Sequence, residues 1–183
     1  MFNVCLLLCF VYVIRASVIF EDCGSAYDLV TVNIQGCDRL MPCFVTLGEK
    51  IPVNVRFYAD FASRDLDQDV VIKLNFVDSR TPVTPEPCDI LFCPVQTDAI
   101  TSFTSVMSVP TNMALNQRGY LQWRVYNESG LLVLCYSVLV QTQNYLQKLM
   151  RQKMATNNKM YKGRPSHTRD LFNFPNATFE FYA

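Results

Sequence analysis

The sequence is poor in the side chains that most enzymes need. Its 183 residues include one histidine, His167, and only 17% are charged. His167 lies in a polar C-terminal stretch, whereas a Ser-His-Asp or Cys-His site requires the imidazole beside a nucleophile in the folded domain. The sequence also lacks a glycine-rich phosphate loop, a dinucleotide fingerprint and a histidine-rich metal set. We therefore expect a protein that is not an enzyme and binds no cofactor or metal.

Apolar runs long enough to cross a membrane are also missing. The longest apolar run lies at the N-terminus. Residues 4–14 form an unbroken run of eleven apolar residues, followed by Arg15, Ala16 and Ser17. A transmembrane helix needs about 20 such residues. The run is typical of a secretory signal peptide, although a positive charge before it is absent. We predict a signal peptide over residues 1–17, cleaved after Ala16 or Ser17, and a soluble mature protein that is secreted or delivered to the lysosomal lumen.

The net charge is zero, but it is unevenly distributed. Residues 143–183 contain seven Lys/Arg and two Asp/Glu, a net of +5, and residues 1–142 therefore carry −5. An acidic body and export from the cell both argue against nucleic-acid binding. Three aspartates, Asp65, Asp67 and Asp69, are spaced like the start of a calcium loop, but the glycine and distal glutamate of that motif are missing. We interpret this segment as a solvated turn.

Eight cysteines are present, and two of them fall within the predicted signal peptide. The other six are Cys23, Cys37, Cys43, Cys88, Cys93 and Cys135. An even number in an exported chain predicts three disulfides, for which fifteen pairings exist. A disulfide between Cys37 and Cys43 or between Cys88 and Cys93 would close a short loop. Cys23 and Cys135 would then join the two ends of the domain. A four-cysteine zinc site is disfavoured, because there is no Cys-x-x-Cys pair.

Alternating apolar and polar residues predict β-strands throughout the body. The segments with this period are 27–35, 51–57, 70–76, 101–109, 119–126 and 131–140. The turn sequence Asn127–Gly130 joins the last two as a hairpin. Three prolines, Pro82, Pro85 and Pro87, exclude a central strand and indicate a rigid loop. About seven strands in about 120 residues indicate an all-β, immunoglobulin-like sandwich.

The C-terminal tail, residues 143–183, has a different character. Apolar residues recur at helical spacing among basic ones from Tyr145 to Met154, which predicts a short basic amphipathic helix. One interpretation is transient contact with anionic membranes during lipid transfer. The alternative is a flexible or proteolytically trimmed extension.

Several motifs in the body occur together in one known family. They are Asp22-Cys23-Gly24-Ser25, Gly36-Cys37, Pro42-Cys43, Val53-Asn54-Val55-Arg56-Phe57, Pro85-Glu86-Pro87-Cys88, Cys93-Pro94-Val95-Gln96, Gln122-Trp123-Arg124-Val125 and Leu134-Cys135-Tyr136. In order, spacing and cysteine pattern the sequence resembles the lipid-recognition (ML) domain family, and within it the soluble sterol carriers. The resemblance covers about Asp22 to Gln141, and we assign residues 18–142 to this domain.

The resemblance implies a fold, a disulfide pairing and a ligand. The pairing is Cys23–Cys135, Cys37–Cys43 and Cys88–Cys93. The fold is an immunoglobulin-like sandwich with an apolar cavity between its sheets, and the ligand is a lipid, with a sterol expected. The motif positions suggest as cavity walls Phe57, Leu74, Phe76, Val95, Ile100, Phe103, Tyr120 and Trp123. For each of them, ordinary core packing is an equally good explanation of an inward apolar residue.

The sequence departs from the sterol carriers at the expected cavity mouth. Residues 78–84 contain no aromatic residue, and Thr101 stands where the carriers have a tyrosine. A more polar mouth suits a lipid with a larger head group. Three hypotheses therefore stand, namely a sterol carrier, a secreted recognition protein that binds phospholipid or glycolipid in innate immunity or signalling, and a structural domain with a filled core.

Two acceptor sequons for N-glycosylation occur, at Asn127 and Asn176. They fall at a predicted hairpin tip and in the tail, which are both exposed positions. We expect a monomeric glycoprotein.

Overall fold

The structure, a computed structural model, describes residues 18–37, 41–75, 77–91 and 93–162, with side chains as far as Thr156. The chain divides into two units, residues 1–145 and 146–183. In chain order the elements are β1 (Glu21–Asp22), β2 (Asp28–Ile34), β3 (Cys43–Thr46), β4 (Lys50–Ala59), β5 (Leu66–Leu74), β6 (Val77–Arg80), β7 (Val83–Thr84), α1 (Pro87–Ile90), β8 (Ala99–Ser108), β9 (Arg118–Asn127), β10 (Leu132–Gln143) and α2 (Tyr145–Lys162).

The strands of the first unit form two sheets. One sheet has the order β1-β10-β9-β5-β6, and β3 pairs in parallel with β10. The other has the order β2-β4-β8-β7, and its pairs are antiparallel. The predicted all-β sandwich is therefore confirmed. The six strands predicted from alternation correspond to β2, β4, β5, β8, β9 and β10, which are the longest strands of the two sheets.

The core lies between the two sheets, and alternation determines which side chains fill it. On β4, every second residue from Ile51 to Ala59 is buried, and the intervening residues are not. On β9, the buried series runs through Leu121, Trp123 and Val125. A sheet that faces a core on one side shows this two-residue period, because successive side chains point to opposite faces.

The close packing of β9 against β5 depends on Gly119. A β-carbon at this position would lie 1.9 Å from the carbonyl oxygen of Lys73 and 2.9 Å from the side chain of Leu74. Gly119 pairs with Leu74 on one side and with Val140 on the other. Glycine is therefore required where the backbones of neighbouring strands approach most closely.

The proline-rich segment differs in part from the predicted loop. Val83 and Thr84 form the short strand β7, which pairs with β8 at the edge of the four-stranded sheet. The segment contains no central strand, because proline lacks the N–H that a strand flanked on both sides donates. Glu86 and Asp89 then form a capping box around α1, a four-residue helix with Pro87 at its first turn.

The three disulfides confirm the pairing that the resemblance implies. The Cα atoms are 5.0 Å apart in Cys23–Cys135, 5.1 Å in Cys37–Cys43 and 5.6 Å in Cys88–Cys93. The first bridge joins the residue directly after β1 to β10 across 112 positions of sequence, whereas the other two span six and five. The long bridge therefore restricts the unfolded chain most.

The boundary of the tail lies slightly later than the sequence suggested. Strand β10 runs through Gln143, whose side-chain amide donates to the Thr46 hydroxyl at 3.1 Å. Gln143 is 3% exposed and belongs to the sandwich. The predicted helix is present as α2, which begins at Tyr145. Neither described helix has the length and apolar character needed to cross a bilayer.

We predict that the disulfides contribute unequally to stability. Replacing Cys23 and Cys135 with alanine should lower the free energy of unfolding by about 5 kcal/mol, because their bridge closes the longest loop. Replacing Cys88 and Cys93 should lower it by about 2 kcal/mol. Urea unfolding without reductant measures both values. Equal losses would contradict the loop-length argument.

Candidate lipid-binding site

Five of the eight predicted wall residues lie in the core. Phe57 and Trp123 are 0% exposed, and Phe103, Val95 and Leu74 are at most 6% exposed. Phe57 lies on β4, Phe103 on β8 and Trp123 on β9, so the three aromatic residues come from both sheets. The prediction that these residues contribute to lipid binding becomes part of the proposal below.

Two other predicted wall residues point away from the space between the sheets. Ile100 is 58% exposed and Tyr120 is 52% exposed. Each lies three residues before an inward aromatic residue, Phe103 or Trp123, and an odd separation along a regular strand reverses the face. The inward placement of Ile100 and Tyr120 was therefore wrong. Phe76, the eighth residue, lies outside the described residues.

The inward wall residues are spread along the length of the strands. Val95 forms an isolated bridge with Ser63, beyond the ends of β4 and β5. Leu74 pairs with Gly119 at the far end of β5, four residues from Val70, the partner of Trp123. Four residues of strand span about 13 Å. The predicted set therefore samples nearly the whole length of the sandwich.

An aromatic cluster lies near the Val95 end. The rings of Tyr27 and Phe57 stack at 5.4 Å with an interplanar angle of 6°, and Phe103 meets Phe57 edge-on at 6.2 Å. Phe61 contacts Tyr27 at 4.6 Å. The buried Tyr27 hydroxyl is paired, because it lies 2.5 Å from the Ser63 hydroxyl and donates to the Phe61 carbonyl at 3.1 Å. The sequence did not single out Tyr27 or Phe61.

A second aromatic group lies around Trp123. Tyr136 on β10 is the register partner of Trp123, and their rings stack at 5.9 Å with an angle of 14°. Phe20 meets Tyr136 edge-on at 6.4 Å. Sequence reasoning missed Tyr136 as a site residue, although it shares the inward parity of Val138 and Val140 on the same strand. Both Trp123 and Tyr136 are 0% exposed.

A polar cluster links the two sheets beside the proline-rich segment. The Gln68 amide on β5 donates to the Pro85 carbonyl at 2.7 Å and to the Ser105 hydroxyl of β8 at 3.2 Å. Ser105 also donates to the Pro85 carbonyl at 2.9 Å. The backbone N–H of Gln68 donates to the Glu86 carboxylate at 3.2 Å. Burial, reinforced by nearby aspartates, raises the pKa of Glu86 despite that bond.

A surface cleft lies beside the disulfide-closed loop of residues 88–93. Its volume is about 460 Å³. It is lined by Ile90, Leu91, Val95, Gln96, Ala99, Ile100, Thr101 and Ser102. Binding sites for small ligands typically enclose about 300–1,000 Å³. This cleft brings together the buried Val95 and the exposed Ile100, which the sequence had placed in one motif region. Two more hollows, on the outer face of the four-stranded sheet, include the polar residues Asn33 and Asn54.

The inward aromatic residues are enclosed by their neighbours in this conformation. Phe57 and Trp123 have no exposed surface, whereas a space of molecular size beside either ring would leave part of it accessible. The predicted cavity is therefore not open at these residues. A lipid could reach them only after the sheets separate locally.

The first predicted glycosylation site lies where the sequence placed it, at the turn between β9 and β10. The side-chain oxygen Oδ1 of Asn127 accepts hydrogen bonds from the Ser129 and Leu131 N–H groups at 3.0 and 2.9 Å. Use of Asn127 as an acceptor stays a prediction. The second site, Asn176, lies outside the described residues.

We predict that the Ser105 hydroxyl stabilises the link between the sheets. Ser105→Ala should lower the free energy of unfolding by about 1 kcal/mol, because a buried hydrogen-bonded hydroxyl is lost. Ser102→Ala is the matched control, since Ser102 is exposed on the same strand. Urea unfolding measures both variants. An equal effect of the two substitutions would contradict a role for the buried cluster.

The chain is similar to several known proteins. A curated relative, the NPC intracellular cholesterol transporter 2 of Sus scrofa, is 24% identical over 128 residues, which are 68% of this chain and 85% of the relative. The crystal structure of a Niemann-Pick type C2 protein from the Japanese carpenter ant superposes with a TM-score of 0.60 at 20% identity, over 68% of this chain and 99% of that one. Chicken MD-1, solved with lipid IVa, gives a TM-score of 0.46 at 14% identity, over 69% and 88%.

The comparison with protein families identifies the group. The ML domain matches residues 17–142, well over half of the 183-residue chain. This range ends one residue before the end of β10 and leaves α2 outside the match. The protein therefore belongs to the ML domain family, a family of lipid-recognition domains rather than of enzymes.

Proposed function

We propose that this protein is a non-enzymatic lipid carrier that holds one sterol between its two sheets. The observation that carries the proposal is the predominantly apolar and aromatic lining formed by both sheets, with Phe57, Phe103 and Trp123 at its centre. Family membership supports the lipid, and the cholesterol transporter named above supports the sterol.

The binding energy of such a site comes from apolar contact. When the sheets separate, the ligand replaces the contacts that the inward side chains make with one another. A sterol of about 28 heavy atoms, at roughly 0.3 kcal/mol per atom, would bind with about 8 kcal/mol, which is a micromolar dissociation constant. Few polar groups are needed, because burial of apolar surface supplies the driving force.

The cleft beside residues 88–93 is the proposed entrance. It is a depression of the described surface that contains a residue of the core, Val95, together with the exposed Ile90 and Ile100. An apolar rim lowers the cost of passing a lipid from a membrane into the protein. In this proposal Ile100 guides entry and does not line the bound ligand.

We predict that the protein takes up a fluorescent sterol next to its tryptophan. Trp123 is the chain's single tryptophan, so bound dehydroergosterol should receive energy from it and quench its emission. Phe103→Ala should weaken binding about tenfold or more, because it removes a large apolar contact. Val30→Ala serves as a control, since Val30 is 44% exposed on β2.

The outcomes separate the functional hypotheses. Retained affinity in a folded Phe103→Ala variant would contradict binding between the sheets. If no sterol is taken up and native mass spectrometry finds a phospholipid or glycolipid, the recognition protein is favoured. The polar segment of residues 78–84 supports that hypothesis. Absence of any lipid would leave a structural domain with a filled core.

We also propose that the protein is exported and glycosylated. The backbone N–H of Val18 donates to the Val32 carbonyl at 3.0 Å, and Val18 is 3% exposed. The fold can therefore begin directly after the proposed cleavage site. Three disulfides support an oxidising compartment, and the turn position supports glycan attachment at Asn127.

The helix α2 is the proposed contact with anionic membranes. It contains five basic residues and no acidic ones, namely Lys148, Arg151, Lys153, Lys159 and Lys162. Leu146, Met150 and Met154 recur every four residues on one side and are 60, 45 and 64% exposed. An apolar stripe beside basic residues is typical of interfacial helices, and each basic residue near an anionic surface adds about 1 kcal/mol.

We predict that removing residues 146–183 abolishes binding to phosphatidylserine vesicles in a sedimentation assay. Replacing Leu146, Met150 and Met154 with serine should weaken binding in low salt while preserving the charge. Phosphatidylcholine vesicles are the control and should bind neither form. Equal sedimentation of the full-length and shortened proteins would contradict the proposal, and the deletion leaves β10 intact because it begins after Tyr145.

A further inference from the structure

Two hydrogen-bond donors on the inner face of β9 and β10 have no partner among the described residues. The indole N–H of Trp123 and the hydroxyl of Tyr136 are both fully buried, and neither makes a hydrogen bond within the part of the chain that the structure describes. Buried polar groups are nearly always paired, and an unpaired one costs about 1–3 kcal/mol. Two of them in one place require an explanation.

The two donors belong to one small region of the inner face. Trp123 and Tyr136 lie opposite each other on β9 and β10, with parallel rings 5.9 Å apart. Their neighbours on the same face are apolar, with Leu121 and Val138 on one side and Val125 and Leu134 on the other. The region therefore offers a ligand two donors within an otherwise apolar surface.

The buried hydroxyls of Tyr27 and Ser105 in this sandwich are paired, whereas that of Thr81 also lacks a partner among the described residues. Tyr27 bonds to Ser63 and the Phe61 carbonyl, and Ser105 bonds to the Pro85 carbonyl. Phenylalanine at position 136 would fill nearly the same space without an unpaired hydroxyl. Packing alone therefore accounts for the rings but not for their polar atoms.

We propose that Trp123 and Tyr136 donate hydrogen bonds to an oxygen atom on the part of the lipid that lies between the sheets. This inference rests on the proposed function and specifies the ligand further, since it selects a lipid whose buried portion carries a hydroxyl, keto or ester oxygen. The partner of the indole N–H must be an acceptor, because an indole nitrogen only donates. The phenol O–H can donate to the same kind of group. The ligand oxygen becomes accessible to them when the sheets separate.

The protonation of Tyr136 is suited to this role. Burial raises its pKa well above the ordinary value of a phenol. The hydroxyl therefore keeps its proton throughout the physiological range and remains a donor. The described residues place no charged partner against it that would favour the phenolate.

The test compares three sterols on the full-length protein and two variants. Cholest-5-ene lacks oxygen, cholesterol carries the 3-hydroxyl, and 25-hydroxycholesterol adds a hydroxyl on the side chain. Each competes with dehydroergosterol for the wild type, for Tyr136→Phe and for Tyr126→Phe. Tyr126 is the matched control, because it is a partly exposed tyrosine on the opposite face of β9.

Tyr136→Phe should weaken the binding of a hydroxylated sterol about tenfold relative to cholest-5-ene, and Tyr126→Phe should change neither. A loss for both hydroxylated sterols would assign the bound oxygen to the 3-hydroxyl, and a loss for 25-hydroxycholesterol alone would assign it to the side chain. Trp123 emission should shift to longer wavelength with the preferred hydroxylated sterol and not with cholest-5-ene.

The failure of this inference is distinguishable from failure of the carrier proposal. Equal binding of all three sterols by wild type and Tyr136→Phe would overturn it and leave the carrier intact. Binding of none of them by wild type would overturn the sterol carrier, and this inference with it. The lipid-free proteins give an independent measurement, since Tyr136→Phe should unfold at the same or a higher temperature. A clearly lower Tm would show that the hydroxyl is already bonded and would overturn the inference.

Discussion

The register of β9 between β5 and β10 is the constraint on which the rest of the sandwich depends. It sets Trp123 opposite Val70 on one strand and opposite Tyr136 on the other. A shift of one residue would turn every side chain of β9 to the opposite face. Gly119 helps to exclude such a shift, because any side chain there would collide with the Lys73 carbonyl. Backbone pairing therefore determines the positions of Trp123 and Tyr136, independently of the contact between their rings.

The same two-residue period explains what the sequence could and could not predict. It revealed the long strands, whose apolar residues alternate regularly, and the cysteine motifs predicted the disulfides. It did not reveal β1, β3, β6 and β7, which have two to four residues and are formed through tertiary pairing. Ile100 and Tyr120 were placed by motif position, although their odd separation from Phe103 and Trp123 already indicated the opposite face. Tyr136 carried the correct parity and was overlooked.

The hydrogen bonds of side chains inside the sandwich could not be predicted from the sequence. Nothing in the sequence shows that Gln68 on one sheet bonds Ser105 on the other, because the two residues are 37 positions apart and meet only after the sheets stack. The same holds for the absence of partners at Trp123 and Tyr136 within the described part of the chain. A buried tyrosine is usually paired, so its sequence position gives no sign of a free hydroxyl. These features define the chemistry of the interior and require the three-dimensional arrangement.

The proposed function requires two states, the closed arrangement described above and one in which the sheets separate around a lipid. The closed state keeps the contacts among Phe57, Phe103 and Trp123 but leaves two donors unpaired, which destabilises it by about 2–6 kcal/mol. The filled state exchanges those contacts for contacts with the lipid and, in the proposal above, pairs both donors. The long disulfide between Cys23 and Cys135 offsets the instability of the closed state by about 5 kcal/mol, because it acts on the unfolded chain and not on the opening of the sheets. In the proposed function, the protein therefore remains folded while pairing of the two donors favours the lipid-filled state.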